Sequence, residues 1–215
     1  MKTIYCISGL GADERAFSKL NVEAYQLKVI PWLQPLPKET IEAYAQRMRA
    51  AIDEENPVII RLSFGGMLCI EISKQIPVQK IIIISSIKSC QELPLWMKAA
   101  GRLKLNKIVP VRSNHKLSLS LQNHFLGITT KEEKEIVAVS RRKHNTKYIQ
   151  WAVDKILNWK NDWQPPVIFH IHGDKDRMFP VKRIQPTYII KNGGHFMIMN
   201  RAAEVSVCIN QSLNS

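Results

Sequence analysis

Pro57-Val-Ile-Ile-Arg-Leu62 is an apolar run rich in β-branched residues, and it is short enough to form a strand buried on both faces. The chain then turns at Ser63-Phe64-Gly65-Gly66 and continues as residues 67–76, whose apolar positions can form one face of a helix. A second apolar run, Lys80-Ile-Ile-Ile-Ile-Ser-Ser86, follows directly. Strand, helix and strand in about thirty residues make a βαβ unit, and such a crossover predicts a parallel sheet.

Ser63 lies at the turn between the first strand and the helix of this unit. A sharp turn raises the serine hydroxyl above the sheet edge, and the helix directs its N-terminal N–H groups toward the same point. We expect Gly65 to keep the turn narrow and Gly66 to let the helix approach the strand closely. The pattern is typical of a nucleophilic serine, but it also fits a buried serine at an ordinary strand-to-helix turn.

Length and composition are those of a single globular unit. The 215 residues suffice for one domain with a sizeable core, or for a core with a small inserted cap. Hydrophobic residues make up 45% and charged residues 23%, which is typical of soluble proteins. The four cysteines form neither a C-x-x-C pair nor a disulfide framework, so we expect a reducing, cytoplasmic location. We find no secretory signal and no apolar run long enough to span a membrane.

The net charge is high and unevenly distributed. It amounts to +13, of which residues 96–148 supply +9. Such a concentration of lysine and arginine can attract an anionic substrate, a membrane surface or nucleic acid, or it can simply form a solvated face. No RNA- or DNA-binding motif accompanies it, so we predict no nucleic-acid partner.

Further apolar runs and helical patterns extend the βαβ unit. Further strands are predicted over residues 3–7, 25–30, 166–172 and 187–190. With the two strands of the βαβ unit, this makes about six strands. Helical patterns join most of them, including residues 14–20, with Asp13 as N-cap, and residues 39–53. This alternation predicts an α/β fold, a three-layer αβα sandwich around a mostly parallel sheet.

The alternation is interrupted by residues 91–161, whose patterns are mostly helical and which include a capping box at Thr130-Lys-Glu-Glu133. We therefore predict that residues 91–161 form a helical cap, or lid, inserted into a core of residues 1–90 and 162–215. Helices that merely pack on the sheet are the alternative for this segment.

Three reactive side chains follow predicted strands. Ser63, Asp176 and His195 each come after the carboxyl end of a strand, and in an open parallel sheet sites form at that edge. A serine hydroxyl is a poor nucleophile unless a neighbouring base takes its proton, and histidine suits that task near neutral pH. A carboxylate on the other ring nitrogen orients the imidazole and stabilises its protonated form.

The motifs around these residues resemble those of the α/β-hydrolases, and the likeness covers almost the whole chain. The turn at Ser63 is similar to the family's nucleophile elbow, G-x-S-x-G, with Arg61 in place of the first glycine. Residues 172–180, HGDKDRMFP, resemble its acid turn, in which Asp176 matches the triad acid and Asp174 the turn. Residues 192–196, NGGHF, resemble the histidine loop, and residues 8–11, SGLG, the H-G-x-G oxyanion loop with serine replacing histidine.

The resemblance implies a serine esterase-like hydrolase without a cofactor. Ser63 would be the nucleophile, His195 the base and acid, Asp176 the orienting carboxylate, and the backbone N–H groups of Leu10 and Phe64 the oxyanion hole. The implied partner is a small acyl substrate, which the basic cap predicts to be anionic. Thioester, amide and lactone substrates stay open, because one fold serves many chemistries.

Two other interpretations stay open. Arg61 at the elbow either distorts the turn or binds a substrate carboxylate or phosphate, and distortion would leave an inactive pseudo-hydrolase that binds a ligand or protein. His170-x-His172-x-Asp174 also fits part of a metal-binding string, since residues two apart on a strand share a face. We favour the account in which both histidines belong to the sheet and one shapes the acid turn, and we assign no metal.

Overall fold

The computed structural model describes residues 1–108, 116–143 and 146–215. Six strands form one sheet in the order β2-β1-β3-β4-β5-β6, and all neighbouring strands are parallel. The predicted three-layer α/β fold and its six strands are confirmed. The strands are β1 (Lys2–Ile7), β2 (Tyr25–Val29), β3 (Val58–Leu62), β4 (Lys80–Ile84), β5 (Ile168–Gly173) and β6 (Tyr188–Ile190).

Helices cover both faces of the sheet. On one face, α1 (Ile41–Arg49) packs on α2 (Phe64–Ser73), which lies against β3. On the other, α8 (Met197–Asn200) leads into α9 (Ala202–Asn214), which contacts β4, β5 and β6. Between β4 and β5 the described helices are α3 (Leu95–Arg102), α4 (Leu105–Ile108), α5 (Lys116–Leu126), α6 (Lys131–Lys143) and α7 (Thr146–Leu157).

The central strand β3 explains why Ser63 is well fixed. All five of its residues are buried, because it lies between β1 and β4 and is covered on both faces. Side chains alternate, so that Ile60 and Leu62 join the core under α9, whereas Ile59 joins a small cluster with Cys69 of α2. The strand therefore delivers Ser63 to the carboxyl edge from a rigid position.

The first predicted helix, residues 14–20, is wrong in type and length. Only Glu14–Phe17 is helical, and it is a 3₁₀ helix. The residues that follow make hydrogen bonds of the 3₁₀ type, between residues three apart. The N–H of Ser18 donates to Arg15 O, and the N–H of Leu20 donates to Phe17 O. Asp13 does cap it, as predicted, by accepting a hydrogen bond from Arg15 N at 3.2 Å.

Two other predicted helices are present, one of them shorter than predicted and the other with its predicted cap. The helix predicted over residues 39–53 spans only Ile41–Arg49, and Thr40 caps its start by accepting from Ala43 N. The capping box of α6 is confirmed, with Glu133 N donating to Thr130 Oγ1 and Thr130 N donating to Glu133 Oε2. Residues 109–115 and 144–145 of the predicted cap lie outside the described residues. None of the helices in the described ranges is long and apolar enough to cross a bilayer.

Gly66 allows the close approach of α2 to the end of β4, whereas the sequence analysis expected a close approach to the strand that precedes the helix. A Cβ atom on Gly66 would lie 2.2 Å from Ser86 Oγ and 2.7 Å from Ser86 Cβ, closer than real contacts allow. We therefore expect Gly66→Ala to lower the free energy of unfolding by about 1–3 kcal/mol. Urea denaturation measures this change.

A double-mutant cycle with Ser86→Gly is the control. Removing the Ser86 side chain opens the space that the new methyl group needs, so the double variant should be more stable than the sum of the two single effects predicts. Additive effects would show that the contact between Gly66 and Ser86 does not limit the approach of the helix.

Candidate active site

Ser63 has a backbone conformation that few side chains tolerate. Its φ is 51° and its ψ is −120°, so the residue stores strain that its neighbours must oppose. Its N–H donates to Ile84 O at 2.9 Å, and its own carbonyl accepts from Ser86 Oγ at 2.7 Å and from Gly66 N at 2.9 Å. These bonds to the end of β4 and to α2 hold the strand-to-helix turn and direct Oγ away from the sheet.

The loop after β1 runs directly beside Ser63. A Cβ atom on Gly9 would lie 3.1 Å from Ser63 Cβ, and one on Gly65 would lie 2.7 Å from the carbonyl oxygens of Ile7 and Ser8. Gly65 therefore keeps the turn narrow, as predicted, and brings the loop and the start of α2 together.

The two predicted oxyanion donors belong to these two segments. Phe64 is the first residue of α2, so its N–H has no acceptor within the helix. Leu10 follows Gly9, and its N–H makes no hydrogen bond to an acceptor among the residues that the structure describes. That these two N–H groups form an oxyanion hole stays a prediction.

Ser8 fixes the loop that carries Leu10. Its hydroxyl donates to Ala12 O at 2.9 Å and accepts from Trp32 Nε1 at 3.0 Å. The Trp32 ring in turn stacks on Phe64, with ring centroids 5.4 Å apart. Ser8 therefore ties the loop to the residue after the candidate nucleophile, an arrangement that the sequence analysis did not predict.

Ser63, His195 and Asp176 form one hydrogen-bonded relay. Ser63 Oγ lies 2.8 Å from His195 Nε2, and His195 Nδ1 lies 2.8 Å from Asp176 Oδ2. Because an ionised carboxylate only accepts, Nδ1 carries the proton of the neutral ring and Nε2 accepts from the serine hydroxyl. The structure brings together the three side chains that the sequence singled out, and the ring has the tautomer that a general base needs.

Asp176 is held by the turn on which it lies. Its Oδ1 accepts from Met178 N at 2.8 Å and from Phe179 N at 2.9 Å, which leaves Oδ2 for His195. Burial by itself raises the pKa of this carboxyl, but the charge and hydrogen bond of His195, with His172 and Phe179 N–H, outweigh it and lower the pKa. Asp176 therefore stays ionised beside the imidazole.

Two further histidines, His170 and His172, lie close to the turn that carries Asp176, and both are fully buried. His172 Nε2 lies 2.8 Å from Phe179 O, so it must donate, and its Nδ1 then accepts from His170 Nε2 at 3.1 Å. His172 Nε2 is also 3.5 Å from Asp176 Oδ2. The prediction that one of these histidines shapes the acid turn is confirmed for His172.

The two buried histidines are neutral. Burial lowers the pKa of both rings. The charges of His172 and Lys88 lower the pKa of His170 further, whereas the charge of Asp176 partly offsets the lowering of the His172 pKa by burial. Among residues 1–108, 116–143 and 146–215, no group of three His, Cys, Asp or Glu side chains is placed to bind a metal ion.

Arg61 is buried within the layer between β3 and α2. Its side chain is 0% exposed, so it has no surface that a substrate anion can reach, and the alternative in which Arg61 binds a substrate anion is wrong. Its three guanidinium nitrogens make no well-formed hydrogen bond in the described part of the chain, and burial lowers its pKa, offset partly by the nearby Cys69 thiol. Ser63 keeps its elbow conformation and its bond to His195, so the arginine does not disrupt the relay.

The end of α5 docks on both loops of the relay, which the sequence did not predict. Leu126 O accepts from Phe196 N at 3.0 Å, and Arg177 donates to His124 O at 3.1 Å. Gly127, at a φ of 68°, packs so that a Cβ atom would lie 3.4 Å from Gly194 Cα. The glycine before the capping box was the available signal, but it does not identify the surface that Gly127 contacts.

The lowered pKa values of His170 and His172 predict acid-sensitive folding. The unfolded chain takes up protons near pH 6.5, where the buried rings do not, so the free energy of unfolding should fall as the pH decreases below that value. The slope should reach about 1.4 kcal/mol per pH unit for each histidine. Urea titrations between about pH 7.5 and pH 5 test this prediction. In this range the histidines of the unfolded chain titrate, whereas its carboxylates remain largely ionised.

His170→Phe removes one of the two titrating rings and should make this slope shallower. Equal slopes for the variant and the original protein would contradict the assignment of two neutral, buried histidines.

Comparisons with known proteins agree with this architecture. No family model matches the chain, and no curated protein sequence matches it. Among solved structures, a thermophilic esterase from Thermogutta terrifontis is similar, with a TM-score of 0.77 and 14% identity over 100% of this chain and 90% of that one. An N-acyl homoserine lactonase superposes with a TM-score of 0.74 and 15% identity over 99% and 89%.

A third similar structure carries the name of the fold itself. An alpha/beta hydrolase fold protein from Burkholderia ambifaria has a TM-score of 0.67 and 10% identity over 98% of this chain and 90% of its own. At such identities the likeness concerns architecture, and it extends over nearly the full length of each partner. Together with the parallel six-stranded sheet, it shows that this chain has the α/β-hydrolase fold.

Proposed function

We propose that the protein is a serine hydrolase that cleaves an ester or related acyl bond of a small substrate. The relay from Ser63 through His195 to Asp176 carries this proposal, because its two distances of 2.8 Å join a nucleophile, a base and an orienting carboxylate. The strained turn at Ser63 and the free N–H groups beside it supply the remaining parts of an acyl-transfer site.

The reaction then proceeds through an acyl-enzyme. Ser63 Oγ attacks the acyl carbon while its proton moves to His195 Nε2, and the oxyanion binds the N–H groups of Leu10 and Phe64. His195 gives the proton to the leaving oxygen as the substrate's C–O bond breaks. A water molecule, deprotonated by His195, attacks the acyl-Ser63 carbonyl, and the serine recovers its proton as the acid departs.

An ester-type bond is favoured within the wider class. The similar structures include proteins named as a thermophilic esterase and as an N-acyl homoserine lactonase. A serine nucleophile also suits acyl transfer, since its acyl ester is readily hydrolysed by water. The reaction needs no cofactor, because the relay supplies nucleophile, acid and base.

We further propose that residues 91–161 form a cap over this site. The end of α5 contacts the loops of both Asp176 and His195, through Arg177, Leu126 and Gly127. A segment that touches these loops is placed to exclude water and shape the substrate's entry.

A cationic cavity beside the relay supports an anionic substrate. It has a volume of about 350 Å³, and Gly194, next to His195, lines it together with Lys175, Arg177 and Arg201. Lys175 and Arg177 flank the relay's acid in the sequence and are both exposed. Their field attracts an anionic acyl ester to the side of the molecule that carries the loops of Asp176 and His195.

Labelling with a fluorophosphonate probe tests the proposed reaction. The wild-type protein should react with one equivalent at Ser63, and Ser63→Ala should abolish labelling and lower ester hydrolysis by a factor on the order of 10⁶. Asp176→Asn should lower kcat by about 10⁴-fold, because the imidazole loses its orienting acceptor. Assays on a panel of short and long p-nitrophenyl esters measure these rates.

Asp174→Asn is the matched control, since Asp174 lies on the same turn without contacting His195 and should leave kcat nearly unchanged. Folded wild-type protein that neither reacts with the probe nor hydrolyses any ester would contradict the proposal. That result would favour the second candidate, a pseudo-hydrolase that only binds its ligand.

The cationic cavity predicts a dependence on substrate charge. An anionic ester should have a higher kcat/KM than its neutral analogue, and the advantage should shrink as salt screens the field. Lys175→Glu should reduce this advantage of the anionic ester. Lys182 is exposed and does not line the cavity, so Lys182→Glu should leave the advantage unchanged. Equal kcat/KM values for both esters at every ionic strength would contradict an anionic preference without affecting the proposed chemistry.

A further inference from the structure

Four large apolar side chains are exposed on α3, on α4 and between them, and we call this area the α3–α4 surface. The exposed fractions are 66% for Leu95, 52% for Trp96, 66% for Leu103 and 40% for Leu105. A group of neighbouring exposed apolar side chains costs solvation free energy, and in folded proteins it marks an interaction site more often than scattered single residues do.

The packing of α3 fixes which of its sides faces outward. Met97 is buried in the core, and a Cβ atom on Gly101 would lie 2.5 Å from Leu157 O at the end of α7. The opposite side of the helix, with Leu95, Trp96 and Leu103, therefore faces solvent and cannot turn inward without breaking this contact.

The same surface carries only positive charge within its own segment. Residues 95–107 contain Lys98, Arg102, Lys104 and Lys107 and no acidic residue. The neighbouring Asp154 of α7 is already bound, since it accepts from Asn106 at 3.1 Å and pairs with Lys155. Cations that alternate with exposed leucines and a tryptophan differ from an ordinary solvated face, which has no reason to expose apolar side chains.

We propose that the α3–α4 surface binds the surface of an anionic lipid membrane. Leucine side chains insert at the boundary of the acyl chains, tryptophan prefers the headgroup level, and lysine and arginine attract anionic headgroups. A second copy of this chain fits less well, because each copy carries a net charge of +13 and presents the same cations. A nucleic acid fits the cations but leaves the leucines without a partner.

The surface adjoins the candidate active site through α5. The ring of Trp96 lies 6.0 Å from that of Phe125, and the next residue, Leu126, accepts the hydrogen bond from Phe196 beside His195. Docking at the α3–α4 surface therefore brings the cap side of the molecule to the membrane. The proposal concerns binding alone and does not depend on the activity proposed above.

Binding to vesicles of defined composition tests the proposal. The purified 215-residue protein should co-sediment with vesicles of phosphatidylcholine mixed with phosphatidylserine, and much less with phosphatidylcholine alone. Its tryptophan fluorescence should shift to shorter wavelength on binding, and Trp96→Phe should remove most of that shift. Added salt should weaken binding, since headgroup attraction is screened over about 8–10 Å at ordinary ionic strength.

Paired variants separate the surface from net charge and general hydrophobicity. Arg102→Glu with Lys104→Glu should weaken binding at least about tenfold, given that one cation near an anionic surface contributes roughly fivefold. Lys160→Glu with Lys182→Glu makes the same change of net charge at exposed positions elsewhere and should have a much smaller effect. Trp96→Ala with Leu103→Ala should weaken binding, whereas Leu36→Ala with Val207→Ala, also exposed, should not.

Three results would overturn the proposal. These are no binding to anionic vesicles at low salt, equal loss of binding in the surface variants and their controls, and a dimer of the wild-type protein that Trp96→Ala with Leu103→Ala dissociates. The last result would identify the surface as an interface between two copies. Circular dichroism of each variant verifies that it is folded, so a loss of binding reports on the surface.

Discussion

The hydrogen bond between Ser63 Oγ and His195 Nε2 joins residues 132 positions apart, and the arrangement of the site depends on it. Both residues lie on turns at the carboxyl edge of the parallel sheet, where loops from distant parts of the chain meet. Ser63 reaches this position only in a strained backbone conformation. Its bonds to Ile84 and Ser86 oppose the strain, so the rigidity of β3 and β4 is what makes the relay possible.

Arg61 shows how the elbow tolerates a long side chain in place of glycine. Because side chains alternate along a strand, the arginine two positions before Ser63 lies on the side of β3 toward α2, beside Cys69. In the described part of the chain the buried guanidinium has no carboxylate partner, which is costly, and the large apolar core must offset that cost. The sheet absorbs the substitution at the expense of stability, while the geometry above it is retained.

The sequence allowed the sheet and the relay to be predicted for different reasons. Continuous β-branched runs such as residues 58–62 identify buried strands from local sequence alone. The relay was accessible because Ser63, Asp176 and His195 each lie within a short motif that follows a strand. The 3₁₀ helix at Glu14–Phe17 was missed because three- and four-residue spacings differ little over one turn.

Contacts between segments that are distant along the chain could not be predicted from local sequence patterns. Nothing in the sequence pairs Gly127 with Gly194 or Trp32 with Ser8, since each pair is brought together only by the folded chain. The order of hydrogen bonds from His170 through His172 to Phe179 likewise depends on ring positions that only coordinates supply. Such contacts hold the loops of the relay in place, whereas the motifs only identify which loops matter.

Nitrogen-15 NMR of the His195 ring tests the central claim most directly, because it reports which ring nitrogen carries the proton. We expect the neutral ring to carry its proton on Nδ1, held by Asp176, and its unprotonated Nε2 to accept from Ser63. Asp176→Asn should change this tautomer balance. A ring with its proton on Nε2, or one that Asp176→Asn leaves unaltered, would contradict the relay.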